Sequence, residues 1–168
     1  EISTRDWSSD VCSSDLNAMR IFSPSDAGVP AGQGQVGSLE VVGTQPLAGS
    51  SLEHQTSAAV GQNLQASKAF VAADGATEVF CPLYRNAHTK KNQTTGAQVQ
   101  NVTGSSVTVN FTVQAGSSTY GPYTRTIAAG ASETFYAPDL TSPSIPAGTV
   151  GSATISSTGK VVAVVNDA

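Results

Sequence analysis

The chain has 168 residues, of which 39% are hydrophobic, 6% aromatic and 12% charged, and its formal net charge at pH 7 is −4. The charged fraction lies well below the roughly 25% usual in soluble domains, and Gly, Pro, Ser, Thr and Val are abundant, which argues against a helical bundle and favours short strands. No apolar run reaches the ~18 residues of a membrane-spanning helix, and the residues before Met19 lack the pattern of a secretory signal.

The N-terminal stretch does not look like a folding element. Residues 6–16 read DWSSDVCSSDL and show neither the apolar period of a strand nor that of a helix. They resemble the translation of a sequencing adapter, residue for residue. We therefore predict that residues 1–16 are a non-native leader outside the fold. Without them eight acids and seven bases remain, a balance that implies no nucleic-acid partner.

The chain contains an internal repeat. The strings IFSPSD at 21–26, VPAG at 29–32 and VGS at 36–38 recur as TFYAPD at 134–139, IPAG at 145–148 and VGS at 150–152. We predict the closing half of one repeat at 17–56, a linker at 57–65 and a complete repeat at 66–168. On this interpretation the chain is a piece of a longer tandem protein.

The complete repeat reads as a series of short strands. Residues 107–113, VTVNFTV, alternate without a fault and predict a half-buried strand. The side chains expected inside are those of Val107, Val109, Phe111 and Val113, and those expected outside are Thr108, Asn110 and Thr112. Further short strands are predicted at 80–85, 97–102, 120–127 and 133–136. Residues 150–156 and 160–166 are predicted to form a hairpin across 157–159, and 56–70 a loop with at most one helical turn.

Seven short strands in about 100 residues predict an all-β fold. Each sheet has one apolar face that another sheet must cover, so we expect an immunoglobulin-like antiparallel β-sandwich, with a closed barrel as the rival. In the half repeat, residues 36–42 and 47–52 match the closing strands 150–156 and 161–165. We expect those earlier strands to form a poorly packed hairpin or to associate between chains.

The complete repeat resembles a known family at QVQNVTGSSVTV, residues 98–109, and IAAGASETF, residues 127–135. These strings are similar to bacterial immunoglobulin-like repeats of the cell-adhesion-related kind. The strings FCPLYRN at 80–86, TGAQVQN at 95–101 and FYAPD at 135–139 look like tandem repeats of large predicted surface or secreted proteins. The resemblance implies a sandwich fold and a structural role, and it implies no chemistry.

Catalytic and metal-binding patterns are scarce in the sequence. The two histidines, His54 and His88, lack a neighbouring acid and nucleophile at a recognisable spacing, and we predict no catalytic residue, no metal and no cofactor. Outside the leader Cys81 is the one cysteine, and its apolar neighbours predict a buried side chain rather than a reactive thiolate. Asp26 and Asp139 recur at matching positions of the two repeats and are predicted to form turns rather than to bind calcium.

Several residues suggest contact with carbohydrate. Acceptor triplets for N-glycosylation occur at Asn92, Asn101 and Asn110. Tyr120 and Tyr123, near Phe135 and Tyr136, are the candidate surface for stacking on a sugar. The basic loop 85–91 is read as a solvated turn, with contact to an anionic glycan as its alternative.

These observations predict a non-enzymatic structural or adhesive module, a spacer or stalk repeat of an extracellular or cell-surface protein. Its partners would be neighbouring repeats, with a cell-surface glycan or a second copy bound through exposed strands as further candidates. Two alternatives stay open at this point. One is a carbohydrate-binding module of an exported hydrolase, and the other is a subunit of an extracellular filament.

Overall fold

The computed structural model describes residues 21–22, 26, 38–44, 46–54, 64–89 and 92–167. The chain divides into two units, Glu1–Val36 and Gly37–Ala168, and nearly all described residues belong to the second. The predicted leader, 1–16, lies outside the described residues. No helix within the described ranges is long and apolar enough to cross a membrane.

The described chain is built from strands, which confirms the all-β prediction. The strands are β1 (Ser50–His54), β2 (Leu64–Lys68), β3 (Ala76–Asn86), β4 (Thr95–Asn101), β5 (Val107–Ala115), β6 (Ser118–Ile127), β7 (Ser132–Tyr136) and β8 (Thr149–Asp167). Short 3-10 turns at Ala72–Asp74 and Ala137–Asp139 precede β3 and follow β7.

The long strand β8 organises the main sheet. Its first half lies between β3 and β5, and Ile155 faces Val79 on one side and Phe111 on the other. Its second half pairs with β4, where Val161 lies opposite Asn101. β6 pairs with β5 and β7 pairs with β4, all antiparallel. Two strand sets, β3-β8-β5-β6 and β8-β4-β7, therefore share β8 and curl into a sandwich.

Three aromatic rings join the two strand sets in the core. Phe111 of β5 stacks on Phe135 of β7 with ring centroids 4.7 Å apart. Tyr84 of β3 tilts against Phe111 at 5.1 Å, and its hydroxyl donates a hydrogen bond of 3.0 Å to the carbonyl of Phe135. All three side chains are fully buried. Each such burial contributes roughly 1.5–3 kcal/mol, which makes this cluster a main source of sandwich stability.

The faces of β5 are those that the alternation predicts. Its four apolar side chains at 107, 109, 111 and 113 are buried, and the polar ones at 108, 110 and 112 are half-buried on the other face. Because a shift of one residue would reverse every side chain, the pattern itself fixes the register of this strand.

The predicted hairpin over 150–166 was wrong, since β8 is one strand of 19 residues. Ser157 still pairs with Val109 of β5, whereas Val161 already pairs with β4, so the chain passes from one strand set to the other without reversing. Gly159 does not form a turn, and it instead allows Val107 of β5 to pack closely against the backbone of β8. A Cβ there would lie 2.6 Å from a methyl carbon of Val107.

The predicted loop at 56–70 was also wrong over its described strand. β2 pairs with β1 in a separate two-stranded sheet, with Ser51 opposite Ser67 and their hydroxyls 2.7 Å apart. The first strand of the half repeat, predicted at 36–42, is not formed over its described residues. The second, predicted at 47–52, begins at Ser50 as β1.

Candidate functional site

Asn101, predicted as a glycan acceptor, is fully buried at the end of β4. Its Nδ2 donates to the carbonyls of Ser105, Ile127 and Ala128 at 2.7, 3.1 and 3.0 Å. Its Oδ1 accepts from the backbone N–H and the hydroxyl of Thr103. A side-chain amide with this burial and these partners cannot carry a glycan in the folded domain, so the prediction for Asn101 was wrong.

The bonds of Asn101 instead tie three segments together. Ser105 lies in the connection between β4 and β5, while Ile127 and Ala128 lie where β6 leads towards β7. A buried carbonyl without a hydrogen-bond donor is costly, and the Asn101 amide supplies one to Ile127. It shares the carbonyls of Ser105 and Ala128 with the Thr103 hydroxyl and the Ala131 N–H. The sequence signal was an asparagine two residues before the turn residues 103–106, where a short amide side chain bonds well to nearby backbone.

The other two acceptor asparagines lie nearer the surface. Asn110 is half-buried on the outer face of β5, and its Oδ1 accepts a hydrogen bond of 2.7 Å from the Thr124 hydroxyl. Asn92 is exposed and has a φ of 53°, a left-handed conformation that asparagine tolerates better than most residues. Glycan attachment at these two positions stays a prediction.

Tyr120 and Tyr123 do not form one exposed aromatic platform, contrary to the sequence-based prediction. Tyr123 pairs with Phe111 and Tyr120 with Val113, so Gly121 and Pro122 together face a single residue of β5. This bulge turns both rings to the inner face. Tyr123 is 8% exposed, and Tyr120 packs half-buried against the core. The Tyr123 hydroxyl donates to the carbonyl of Pro143 at 2.5 Å.

A shallow groove of about 270 Å³ lies beside this bulge, between residues 122–125 and 139–142. Two charged residues line it, Arg125 and Asp139, and the Arg125 side chain is held by the fold. Nη1 lies 2.9 Å from Oε2 of Glu133 and 3.0 Å from the carbonyl of Thr134, and the guanidinium stands 5.0 Å above the Phe135 ring. These contacts join β6 to β7. The positive charge of Arg125 is therefore already paired with Glu133 and less available to an anionic ligand.

The basic loop is an ordered arm between β3 and β4. His88 and Gln93 exchange two backbone hydrogen bonds of 2.9 Å, and Arg85 Nη1 donates to the Gln93 side chain at 2.9 Å. Ala87 and Thr89 have φ angles of 45° and 67°, in the left-handed region. Lys90 and Lys91 lie outside the described residues. Over the described residues, the predicted solvated turn is therefore the end of a hairpin that these hydrogen bonds close.

Cys81 is buried as predicted, with 2% of its surface exposed, and burial raises the pKa of its thiol. Burial likewise raises the pKa of the Tyr84 hydroxyl. In the described part of the chain no group of three or more His, Cys, Asp and Glu side chains could hold a metal ion. Asp139 is exposed in the 3-10 turn after β7, and Asp26 is exposed in the first unit.

The residues shared by the two repeats have identifiable tasks in the complete one. Gly148 has a φ of 84°, which favours glycine, and its N–H donates to the carbonyl of Asn86 at 2.7 Å. Gly151 lies so close to β5 that a Cβ would overlap the carbonyl oxygen of Gln114. Ile145, three residues before Gly148, is buried in the core. The repeat thus preserves positions that shape the sandwich.

Neither a protein-family model nor a curated protein sequence matches the chain. Among solved structures, the Anabaena sensory rhodopsin transducer is similar, with 21% sequence identity and a TM-score of 0.47. The match covers 55% of this chain and 96% of the transducer chain.

Proposed function

We propose that this chain is a non-enzymatic module, a spacer or adhesive repeat of a tandem-repeat extracellular or cell-surface protein. One observation carries the proposal. The glycines that recur between the two copies are those that a sandwich of this shape requires at Gly148 and Gly151. A repeat that preserves framework residues is typical of proteins built by stacking similar units.

The side chains that looked most like a binding site support the same proposal. Asn101 and Arg125 each donate hydrogen bonds to backbone or side-chain atoms of neighbouring strands and loops. Function resides in sites rather than in folds, and at these two positions the polar groups stabilise the sandwich itself. The carbohydrate-binding alternative loses its main support, because Tyr123 is buried and bonded to the loop at Pro143.

Immunodetection in the source cells tests the proposal. An antibody raised against residues 66–168 should label intact cells or the culture medium. It should detect a polypeptide much larger than the 17.0 kDa of this chain. Labelling that appears only after lysis, on a band of 17.0 kDa, would overturn both the location and the tandem arrangement.

A glycan array separates the proposed module from a carbohydrate-binding one. We expect no saturable binding from the full chain. Specific binding that Tyr136→Ala weakens, with the melting temperature unchanged, would instead favour the carbohydrate-binding alternative. Tyr136 is 37% exposed, whereas Tyr120 packs against the core and its truncation would itself lower stability.

A further inference from the structure

Residues 37–52 correspond in sequence to strand β8. The string VGS at 36–38 recurs at 150–152, an offset of 114 residues. At the same offset Leu39 corresponds to Ala153, Val41 to Ile155, and Leu47 to Val161. These three positions of β8 face the core of the sandwich, with 2%, 0% and 0% of their surface exposed.

The corresponding side chains in the earlier copy are exposed. Leu39, Val41 and Leu47 have 57%, 48% and 53% of their surface accessible. Residues 38–44 and 46–49 form no strand, although 39 and 41 keep the alternation that puts 153 and 155 on one face. An apolar stripe spaced like a buried strand, but accessible along its length, is typical of an interaction surface.

Within the shared VGS string the glycine has a structural reason. Gly151 is required because β5 approaches so closely that the Gln114 carbonyl occupies the place of a Cβ. The earlier copy has glycine at the matching position, Gly37. Glycine at position 37 would likewise allow this segment to pair closely with a strand equivalent to β5.

The place where β8 changes partner strands also has a counterpart. β8 passes from β5 to β4 between Ser157 and Val161. The matching residues are 43–47, and Leu47 follows Val41 at the spacing at which Val161 follows Ile155. The segment thus carries its apolar positions in the order in which β8 uses them.

We propose that residues 37–49, which precede β1, are the closing strand of a second sandwich, and that their partner is the set of β3-, β5- and β4-type strands of another repeat of this kind. In the sandwich of this chain β8 already fills that place, so the partner strands come from a different repeat. The inference rests on the proposed tandem-repeat function and specifies the partner surface.

An extended chain tests this inference directly. Gly148 and Gly32 are equivalent in the repeat, so residues 66–148 followed by 33–168 place a new β3–β7 set ahead of the segment in register. Hydrogen exchange is measured at residues 38–44 and 47–49, which form no strand in the 168-residue chain, both in that chain and in the extended chain. We expect exchange there to slow by about 100-fold or more in the extended chain, since strand amides become protected.

Matched variants show whether the protection arises as proposed. Leu39→Asp with Val41→Asp, or Gly37→Val alone, should leave the 168-residue chain unchanged and abolish protection in the extended chain. A further control carries two complete repeats, 66–168 followed by 57–168.

Rapid exchange at 38–49 in the extended chain, while the two-repeat control forms two protected sandwiches, would overturn the inference and leave the proposed function standing. Failure of the control to form two sandwiches would overturn both, because a repeat would then not be an independent folding unit.

Discussion

Two regions of this chain carry related sequence in different surroundings. In 150–161, the side chains of Ala153, Ile155 and Val161 lie in the core of the sandwich, and the strand that carries them pairs with β3 on one side and β5 on the other. In 36–47, similar side chains lie at the surface over the described residues. Since the local pattern is shared, the difference comes from the partner strands, which supply the backbone hydrogen bonds and the opposing apolar face.

The largest expected effect of a single substitution is at the centre of the complete repeat. Phe111 is fully buried between Phe135 and Tyr84. Phe111→Ala should destabilise the chain by about 3–5 kcal/mol, because it removes the ring and leaves a cavity. Thr108→Ala, on the outer face of the same strand, should cost well under about 1 kcal/mol. Urea unfolding of both variants measures the difference, and equal costs would contradict the assigned faces.

A matched pair of substitutions tests the two regions against each other. Ile155→Ala should cost about 2–5 kcal/mol, because the side chain is fully buried between β3 and β5. Val41→Ala, at the equivalent position, should stay within about 0.5 kcal/mol in the 168-residue chain. Denaturant unfolding of the two variants decides the matter. A comparable loss from Val41→Ala would show that the earlier segment is already packed.

Much of the complete repeat could be predicted from local pattern. β5 alternates over seven residues, and both its existence and its inner face follow from that period. The hairpin at 150–166 could not be excluded locally, because Ser157-Thr158-Gly159 reads as a turn in sequence. Only the pairing with β5 and then β4 shows that the chain continues straight through.

The candidate sites were harder to predict than the strands. Glycosylation triplets record a spacing of residue types, and they do not show whether the asparagine faces solvent, as Asn101 illustrates. Tyr120 and Tyr123 are three residues apart, and the bulge at Gly121-Pro122 brings both onto one face. Such bulges depend on the partner strand, which a single-sequence pattern does not contain.

Asn101 offers a polar counterpart to the core substitutions. Asn101→Ala should destabilise the chain by about 1–3 kcal/mol, because a fully buried amide and its bond to the buried carbonyl of Ile127 are lost together with its bonds to Ser105 and Ala128. Asn110→Ala is the matched control on the outer face and should change stability by less than about 0.5 kcal/mol. Thermal or urea unfolding of both variants measures the effect. Equal, small losses would mean that the buried amide does not hold the three segments together.

The smallest effect concerns the thiol of Cys81, which is buried in the core of the complete repeat. Burial raises the pKa of this thiol above the ordinary value of 9.0, so the folded state holds the proton more tightly than the unfolded state. Stability is therefore complete below pH 9.0 and falls as the pH rises above it, by at most about 1.4 kcal/mol per pH unit. Urea unfolding of the chain and of Cys81→Ala between pH 8 and 10 measures this slope. The variant should lose the thiol's part of it, and identical slopes would show that folding does not raise the pKa of the thiol.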